Sequence, residues 1–110
     1  MGVEILSNAL RVTALLSGEI DHHTAAAIRL DIDSAISAQQ PKTLRLDFTE
    51  VSFMDSSAIG LVMGRYRLLQ AWGGQLEVVN LSDRNYKVMK LAGMQSLCML
   101  KRKDEENESD

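Results

Sequence analysis

The sequence predicts one α/β domain in which helices cover mainly one face of a mixed β-sheet. Apolar stretches with the period of a strand alternate with stretches of helical period, in the order β-β-α-β-α-β-α-β. That order implies parallel crossovers and one antiparallel strand from an opening hairpin. Polar residues on alternate strand positions, such as Arg45, Asp47 and Glu77, indicate one face without helices. With 110 residues, the chain is long enough for one core and too short for two.

The chain opens with a predicted hairpin. Apolar residues in 3–6 and 10–16 indicate two strands, and Ser7-Asn8 between them are typical turn residues. Gly18 is expected to end the second strand.

A first helix is predicted over residues 25–39. Its apolar positions recur at helical spacing, and either Asp21 or Thr24 is expected to cap its N-terminus. Pro41, the only proline, is expected to stop it. The positions expected to share the buried face are Ala25, Ile28, Ile32, Ala35 and Ile36.

The centre of the chain combines a strand, an acidic loop and a helix. Residues 43–48 alternate as a strand with one buried face, and helical spacing follows from about residue 57 to residue 72. The triplet Asp55-Ser56-Ser57 therefore lies at the helix entrance, where unpaired backbone N–H groups and the helix dipole favour an anion or a hydroxyl.

The last third continues the alternation. Gly73-Gly74 supplies a helix-to-strand reversal, and a strand is predicted over 75–79. Ser82 is expected to cap a short third helix that Gly93 ends.

The C-terminal boundary of the domain is predicted near residue 101. A final strand is expected at 97–100, and the domain is expected to span 1–101. Residues 102–110 form a charged tail with almost nothing to bury, so we expect disorder there.

Composition restricts the classes of function. The net charge of −3 disfavours nucleic acid as a partner, and no apolar run approaches the length of a membrane span. The first residues lack a secretory signal, so a cytoplasmic protein is expected. Cys98 is the only cysteine, which rules out an internal disulfide and favours a small core residue. No cofactor is expected, and a protein or a small molecule is the expected partner.

The paired serines favour a phosphorylation switch. Two serines at a helix start are often just a cap, but Asp55 and Glu50 crowd the same segment. Passive anion binding would be disfavoured there, whereas a phosphoserine would add about −1.5 to −2 charges beside existing carboxylates. Such a change can abolish an association without unfolding the domain.

Enzymatic and metal-binding alternatives are less favoured. His22-His23, with Asp21 and Glu19 nearby, could suggest a metal site, a phosphohistidine or a triad with Ser56. Adjacent residues at a helix start point in different directions, and no third histidine completes a zinc set. The serines also lack the Gly-x-Ser-x-Gly elbow of hydrolases, so we expect no enzyme. The histidines are expected to be partly exposed residues of the first turn.

Two motifs resemble a known family. The segment 18–25, Gly-Glu-Ile-Asp-His-His-Thr-Ala, and the segment 53–60, Phe-Met-Asp-Ser-Ser-Ala-Ile-Gly, with Gly-Arg-Tyr at 64–66, closely resemble the anti-sigma factor antagonists of the sporulation and stress-response type. These are single STAS domains, and the resemblance extends from the first strand to about Leu100. The fold that it implies is a STAS-like mixed sheet.

The resemblance implies a function and a site. In that family the serine after the aspartate, here Ser56, is phosphorylated by the anti-sigma factor, which is an ATP-dependent serine kinase. The unphosphorylated antagonist binds that kinase and frees the sigma factor, and a serine phosphatase resets it. We therefore expect a cytoplasmic anti-anti-sigma factor, as a monomer. The expected contact surface comprises Asp21, His22, Met54, Asp55, Ser56 and Ser57.

The chain departs from the family at two points, and other assemblies remain open. Ala58 stands where relatives commonly carry glycine, so a methyl group could fill space that a kinase needs. The tail lacks the apolar face of the family's last helix, which is expected to be absent or reduced. The alternative function is a STAS module in a stressosome-like complex or a transporter regulator.

Overall fold

Within residues 2–103, five strands and three α-helices form the fold. The computed structural model describes residues 2–103. In chain order the elements are β1 (Gly2–Ser7), β2 (Arg11–Ile20), α1 (His22–Gln39), β3 (Thr43–Met54), α2 (Ser56–Leu69), β4 (Gln75–Leu81), α3 (Asp83–Leu91), a 3₁₀ turn (Met94–Ser96) and β5 (Met99–Arg102). Within residues 2–103, no helix has the length and apolar character needed to cross a membrane.

The sheet has the mixed topology that the sequence predicts. The strand order is β1-β2-β3-β4-β5; β1 and β2 are antiparallel, and every other neighbouring pair is parallel. Each parallel step is bridged by a helix, as a crossover requires. The carboxyl ends of the parallel strands therefore lie at one edge of the sheet, next to the N-termini of the helices.

The helices cover one face of the sheet, as predicted. The first helix packs on β1 and β2, the second on β4, and the third on β4 and β5. The opposite face carries polar side chains: Arg45 Nε pairs with Glu77 Oε1 at 2.9 Å, and Asn80 Nδ2 donates to Asp47 Oδ1 at 3.1 Å. Inward-facing apolar residues of the sheet form the core with the helices, among them Val12, Ala14, Leu16, Leu44, Leu46, Phe48, Leu76 and Val78.

The hairpin turn forms as expected, but β2 is longer than predicted. Asn8 Oδ1 accepts from the backbone N–H groups of Leu10 and Arg11, both at 2.9 Å. Gly18 does not end the strand. Its φ of 78° lies in the left-handed region, and the pairing with β3 shifts register there before the strand continues to Ile20.

The segment predicted as an acidic loop is part of β3. Pairing with β4 ends at Asp47, but Glu50 to Met54 continue to pair with β2, from Ser17 to Ile20. The loop prediction is wrong because the polar residues of this segment lie outside the core while their backbone pairs with β2. This two-stranded extension leads directly into the N-terminus of α2.

The boundaries near the C-terminus also differ from prediction. Residues 94–96 form the 3₁₀ turn, so the last strand begins at Met99 rather than at residue 97. The second helix ends at Leu69 rather than at residue 72. The Gly74 N–H donates to the Leu69 carbonyl at 3.0 Å. Disorder, without a last helix, was predicted for residues 102–110. Residues 104–110 lie outside the described residues. Arg102 belongs to β5.

Candidate functional site

Two helix N-termini lie side by side at the carboxyl edge of the sheet. Ile20 and Met54 are partners in the parallel ladder, and the Asp55 N–H donates to the Ile20 carbonyl at 3.1 Å. Asp21 and Asp55 follow these two strand ends, and each is the N-cap of the next helix. The structure therefore brings together the two motifs that the sequence singles out, although they are more than 30 residues apart.

Asp55, and not a serine, caps α2. Its Oδ1 accepts from the Ser57 N–H at 2.8 Å, and its carbonyl accepts from the Ala58 N–H at 3.0 Å. Ser56 is the first residue of the helix and is exposed. Among residues 2–103, no side chain or backbone group hydrogen-bonds the Ser56 hydroxyl. Because capping is done by its neighbour, the Ser56 hydroxyl is open to solvent and to a visiting enzyme.

Asp21 caps α1 through a capping box. Its Oδ1 accepts from the N–H groups of Thr24, at 3.0 Å, and His23, at 2.9 Å, while its own N–H donates to Thr24 Oγ1 at 3.0 Å. The hydrogen bond from the Thr24 N–H holds the pKa of the Asp21 carboxyl below its ordinary value. Asp21 is therefore the cap among the two candidates, and its carboxylate is charged at neutral pH.

The two histidines occupy the first turn of α1, as predicted. His22 and His23 are exposed, with ring centroids 4.2 Å apart. His22 lies at the mouth of a groove between α1 and α2 that Ser57 also lines. Among residues 2–103, no group of three His, Cys, Asp or Glu side chains is arranged to hold a metal ion.

The prediction for Met54 is wrong, and its neighbour Phe53 is the exposed residue of the two. Met54, expected at the contact surface, is only 3% exposed and belongs to the core, whereas Phe53 is 46% exposed. Met54 ends β3 as the ladder partner of the buried Ile20, so it lies on the core side. Alternation from residue 48 could not have predicted this, because Glu50 and Ser52 have the parity of Met54 and are exposed.

Ala58 faces the core rather than the surface. Its side chain is fully buried, and it is part of the hydrophobic cluster. The methyl group that distinguishes it from glycine therefore packs inward, away from the exposed Ser56. It does not fill the space in which a kinase would approach, contrary to the expectation from sequence.

The arrangement is suited to a change of charge at the surface. An exposed hydroxyl stands at a helix N-terminus, where the dipole tolerates a negative group. The carboxylates of Asp21 and Asp55 cap the two adjacent helices, so a phosphate here would add charge to a surface that is already acidic. The helix dipole offsets part of such an added charge within the fold. A binding interface that covers these carboxylates would have no such compensation.

Comparison with known proteins gives matches over most of the chain. The STAS domain family matches residues 5–107. An anti-sigma F factor antagonist of Lysinibacillus sphaericus is 40% identical over 83 residues, which cover 76% of this chain and 71% of that protein.

Solved structures give the same result for the fold. The anti-sigma factor antagonist SpoIIAA in its unphosphorylated form superposes with a TM-score of 0.78 at 33% identity, covering 97% of this chain and 94% of that one. The Bacillus cell fate determinant SpoIIAA in its phosphorylated form gives 0.72 at 33% identity, covering 97% of each chain.

Proposed function

We propose that this chain, which belongs to the STAS domain family, is an anti-anti-sigma factor that phosphorylation of Ser56 switches off. The unphosphorylated form binds an anti-sigma factor that is also a serine kinase, and this binding releases the sigma factor. The kinase transfers the γ-phosphoryl group of ATP to the Ser56 hydroxyl, with loss of its proton, and ADP leaves. A serine phosphatase hydrolyses the phosphoserine and restores the binding form.

The observation that carries the proposal is the placement of Ser56. It is exposed at the start of α2, while Asp55 does the capping that a structural serine would otherwise do. A hydroxyl that the fold does not need is free to be modified. Relatives named anti-sigma factor antagonists, one of them solved in phosphorylated and unphosphorylated form, support the same assignment.

The size of the electrostatic change is sufficient for a switch. A carboxylate about 4 Å from an added unit charge costs about 1 kcal/mol in water and about 4 kcal/mol at an intermediate effective dielectric. Micromolar binding is worth only about 8 kcal/mol. A phosphate that carries nearly two charges, facing carboxylates that a partner would cover, can therefore remove most of the binding free energy.

The proposed contact surface combines the two caps with one exposed aromatic side chain. Phe53 replaces Met54 in this surface because it is the residue of the pair that a partner can reach. The remaining members are Asp21, His22, Asp55, Ser56 and Ser57, which lie at or next to the N-termini of α1 and α2.

The proposal includes a cellular setting and a stoichiometry. We place the protein in the cytoplasm, where a sigma factor and its kinase act. It works there as a monomer whose contact surface faces one kinase molecule.

The assignment is tested by phosphorylation in vitro. The protein is incubated with its cognate anti-sigma factor and ATP, and the modified residue is mapped by mass spectrometry. We expect one phosphate on Ser56, none on a Ser56→Ala variant, and unchanged labelling of the matched Ser57→Ala variant. Equal labelling of Ser56→Ala and the parent would overturn the assignment.

A further inference from the structure

A groove between α1 and α2 begins beside the proposed contact surface. Its volume is about 360 Å³, and Ser57 and His22 line the end near the helix N-termini. Gly60 and Gly64 line the α2 side, and a Cβ added at either position would meet nothing within 4 Å. The two glycines thus leave open space between the helices that a side chain of another protein could enter.

A buried arginine forms part of the groove wall. Arg65 is only 6% exposed, and its Nε lies 2.9 Å from Asp33 Oδ1 on α1. This contact is an ion pair, and Arg65 Nη1 also donates to the Leu61 carbonyl at 3.4 Å. A guanidinium this shielded from water interacts more strongly with an anion in the groove than an exposed one would.

The charges around the groove favour an anion. Arg29 is exposed on α1, lines the groove, and lies close enough to Arg65 to act on it electrostatically. Asp33 neutralises one of the two arginines, which leaves one net positive charge when His22 is neutral. That charge matches one carboxylate, whereas a dianionic phosphate would exceed it and would also approach the acidic caps of both helices.

We propose that the groove between α1 and α2 takes an Asp or Glu side chain of the anti-sigma factor, held by Arg29 and Arg65. This inference rests on the proposed function and identifies a second part of the same interface. The contact surface at the caps is acidic, whereas the groove is basic and selects an anion. Together they determine the orientation of the partner.

Charge reversal with a matched control tests the groove. Arg29→Glu is compared with Arg67→Glu, which makes the same charge change at an exposed residue of α2 that does not line the groove. Binding to the cognate anti-sigma factor is measured by calorimetry at low and high salt. We expect Arg29→Glu to weaken binding about tenfold or more at low salt, and Arg67→Glu to change it less than about twofold.

The outcomes separate this inference from the proposed function. If the parent binds and both variants bind equally well, the groove proposal is wrong and the proposed function stands. If the parent itself does not bind, both are overturned.

A second arm tests the chemistry of the occupant. Each surface Asp and Glu of the anti-sigma factor is changed in turn to Arg, and each product is tested against the Arg29→Glu variant. One of them should restore binding about tenfold, because opposite charges are paired again. Restoration by none of them, or submillimolar binding of inorganic phosphate that perturbs Arg29 and Arg65 resonances, would overturn the carboxylate assignment.

Discussion

At the scale of single residues, Asp55 and Ser56 divide two tasks that one residue often performs. Asp55 supplies the oxygen that the Ser57 N–H needs, and Ser56 keeps an exposed hydroxyl at the first position of the helix. A phosphate on Ser56 therefore removes no hydrogen bond of the fold. The proposed switch would therefore act on binding and leave stability nearly unchanged.

This division predicts that substitutions of these two neighbouring residues affect stability unequally. Asp55→Ala should lower the free energy of unfolding by about 1 kcal/mol, because the N-cap is lost. Ser56→Ala should change it by less than about 0.5 kcal/mol, because the hydroxyl has no partner. Urea titrations followed by circular dichroism measure both. A larger loss for Ser56→Ala than for Asp55→Ala would mean that the serine has a structural role.

Phe53 and Met54 predict a second pair of contrasting effects. Phe53→Ala should weaken binding to the anti-sigma factor about tenfold and cost little stability, because the ring is on the surface. Met54→Ala should lower the free energy of unfolding by about 2–5 kcal/mol, because it leaves a cavity in the core. Calorimetry and urea titration measure the two quantities. Normal affinity of Phe53→Ala would exclude this side chain from the interface.

At the scale of elements, turns and helix caps were easier to predict than strand pairing. The Asn8 turn and the Asp21 and Ser82 caps were predictable because each depends on a side chain and a backbone N–H within three residues. The extension of β3 was not, because its polar residues resemble a loop and its hydrogen bonds go to β2, more than 30 residues away. Without that extension, the sequence did not indicate that Met54 faces the core and that Phe53 faces the surface.

The cap of α1 predicts a dependence of stability on pH. The folded-state pKa of Asp21 lies below its ordinary value of 3.8, so its contribution is present above that value and is lost as pH falls through the lowered pKa. Asp21→Ala should therefore be less stable than the parent at neutral pH, and the difference should shrink below pH 3.8. Melting temperatures between neutral and acidic pH measure it. A difference that is constant over this range would contradict the role of the charge.

At the scale of the whole molecule, the sheet brings the two parts of the proposed contact surface together at one edge. The Asp21 and Asp55-Ser56-Ser57 motifs follow the carboxyl ends of paired parallel strands, whereas Cys98 packs against the core just before β5. The order of strands and helices predicted the crossovers, whereas only the family resemblance put Asp21 in the same contact surface as Ser56. The sequence could not predict the α1–α2 groove, whose charges depend on the packing of Arg65 against Asp33.

Cys98 should report on the integrity of the core. Burial raises the pKa of its thiol to about 11, so little reactive thiolate exists at pH 8 in the folded protein. Alkylation by iodoacetamide at pH 8 should be about 100-fold slower in the native protein than in urea, because the thiolate fraction is that much smaller. The same slow rate is expected for Ser56→Asp. Fast labelling of the parent would show that the core opens around β5.

The account depends most on the claim that charge at Ser56 controls association without disturbing the fold. The direct measurement compares the stoichiometrically phosphorylated protein with the unmodified one, in affinity for the cognate anti-sigma factor and in melting temperature. We predict at least about 100-fold weaker binding after phosphorylation, with a melting temperature within about 2 °C. Equal affinity of the two forms, or weaker binding that accompanies a large drop in melting temperature, would contradict the account.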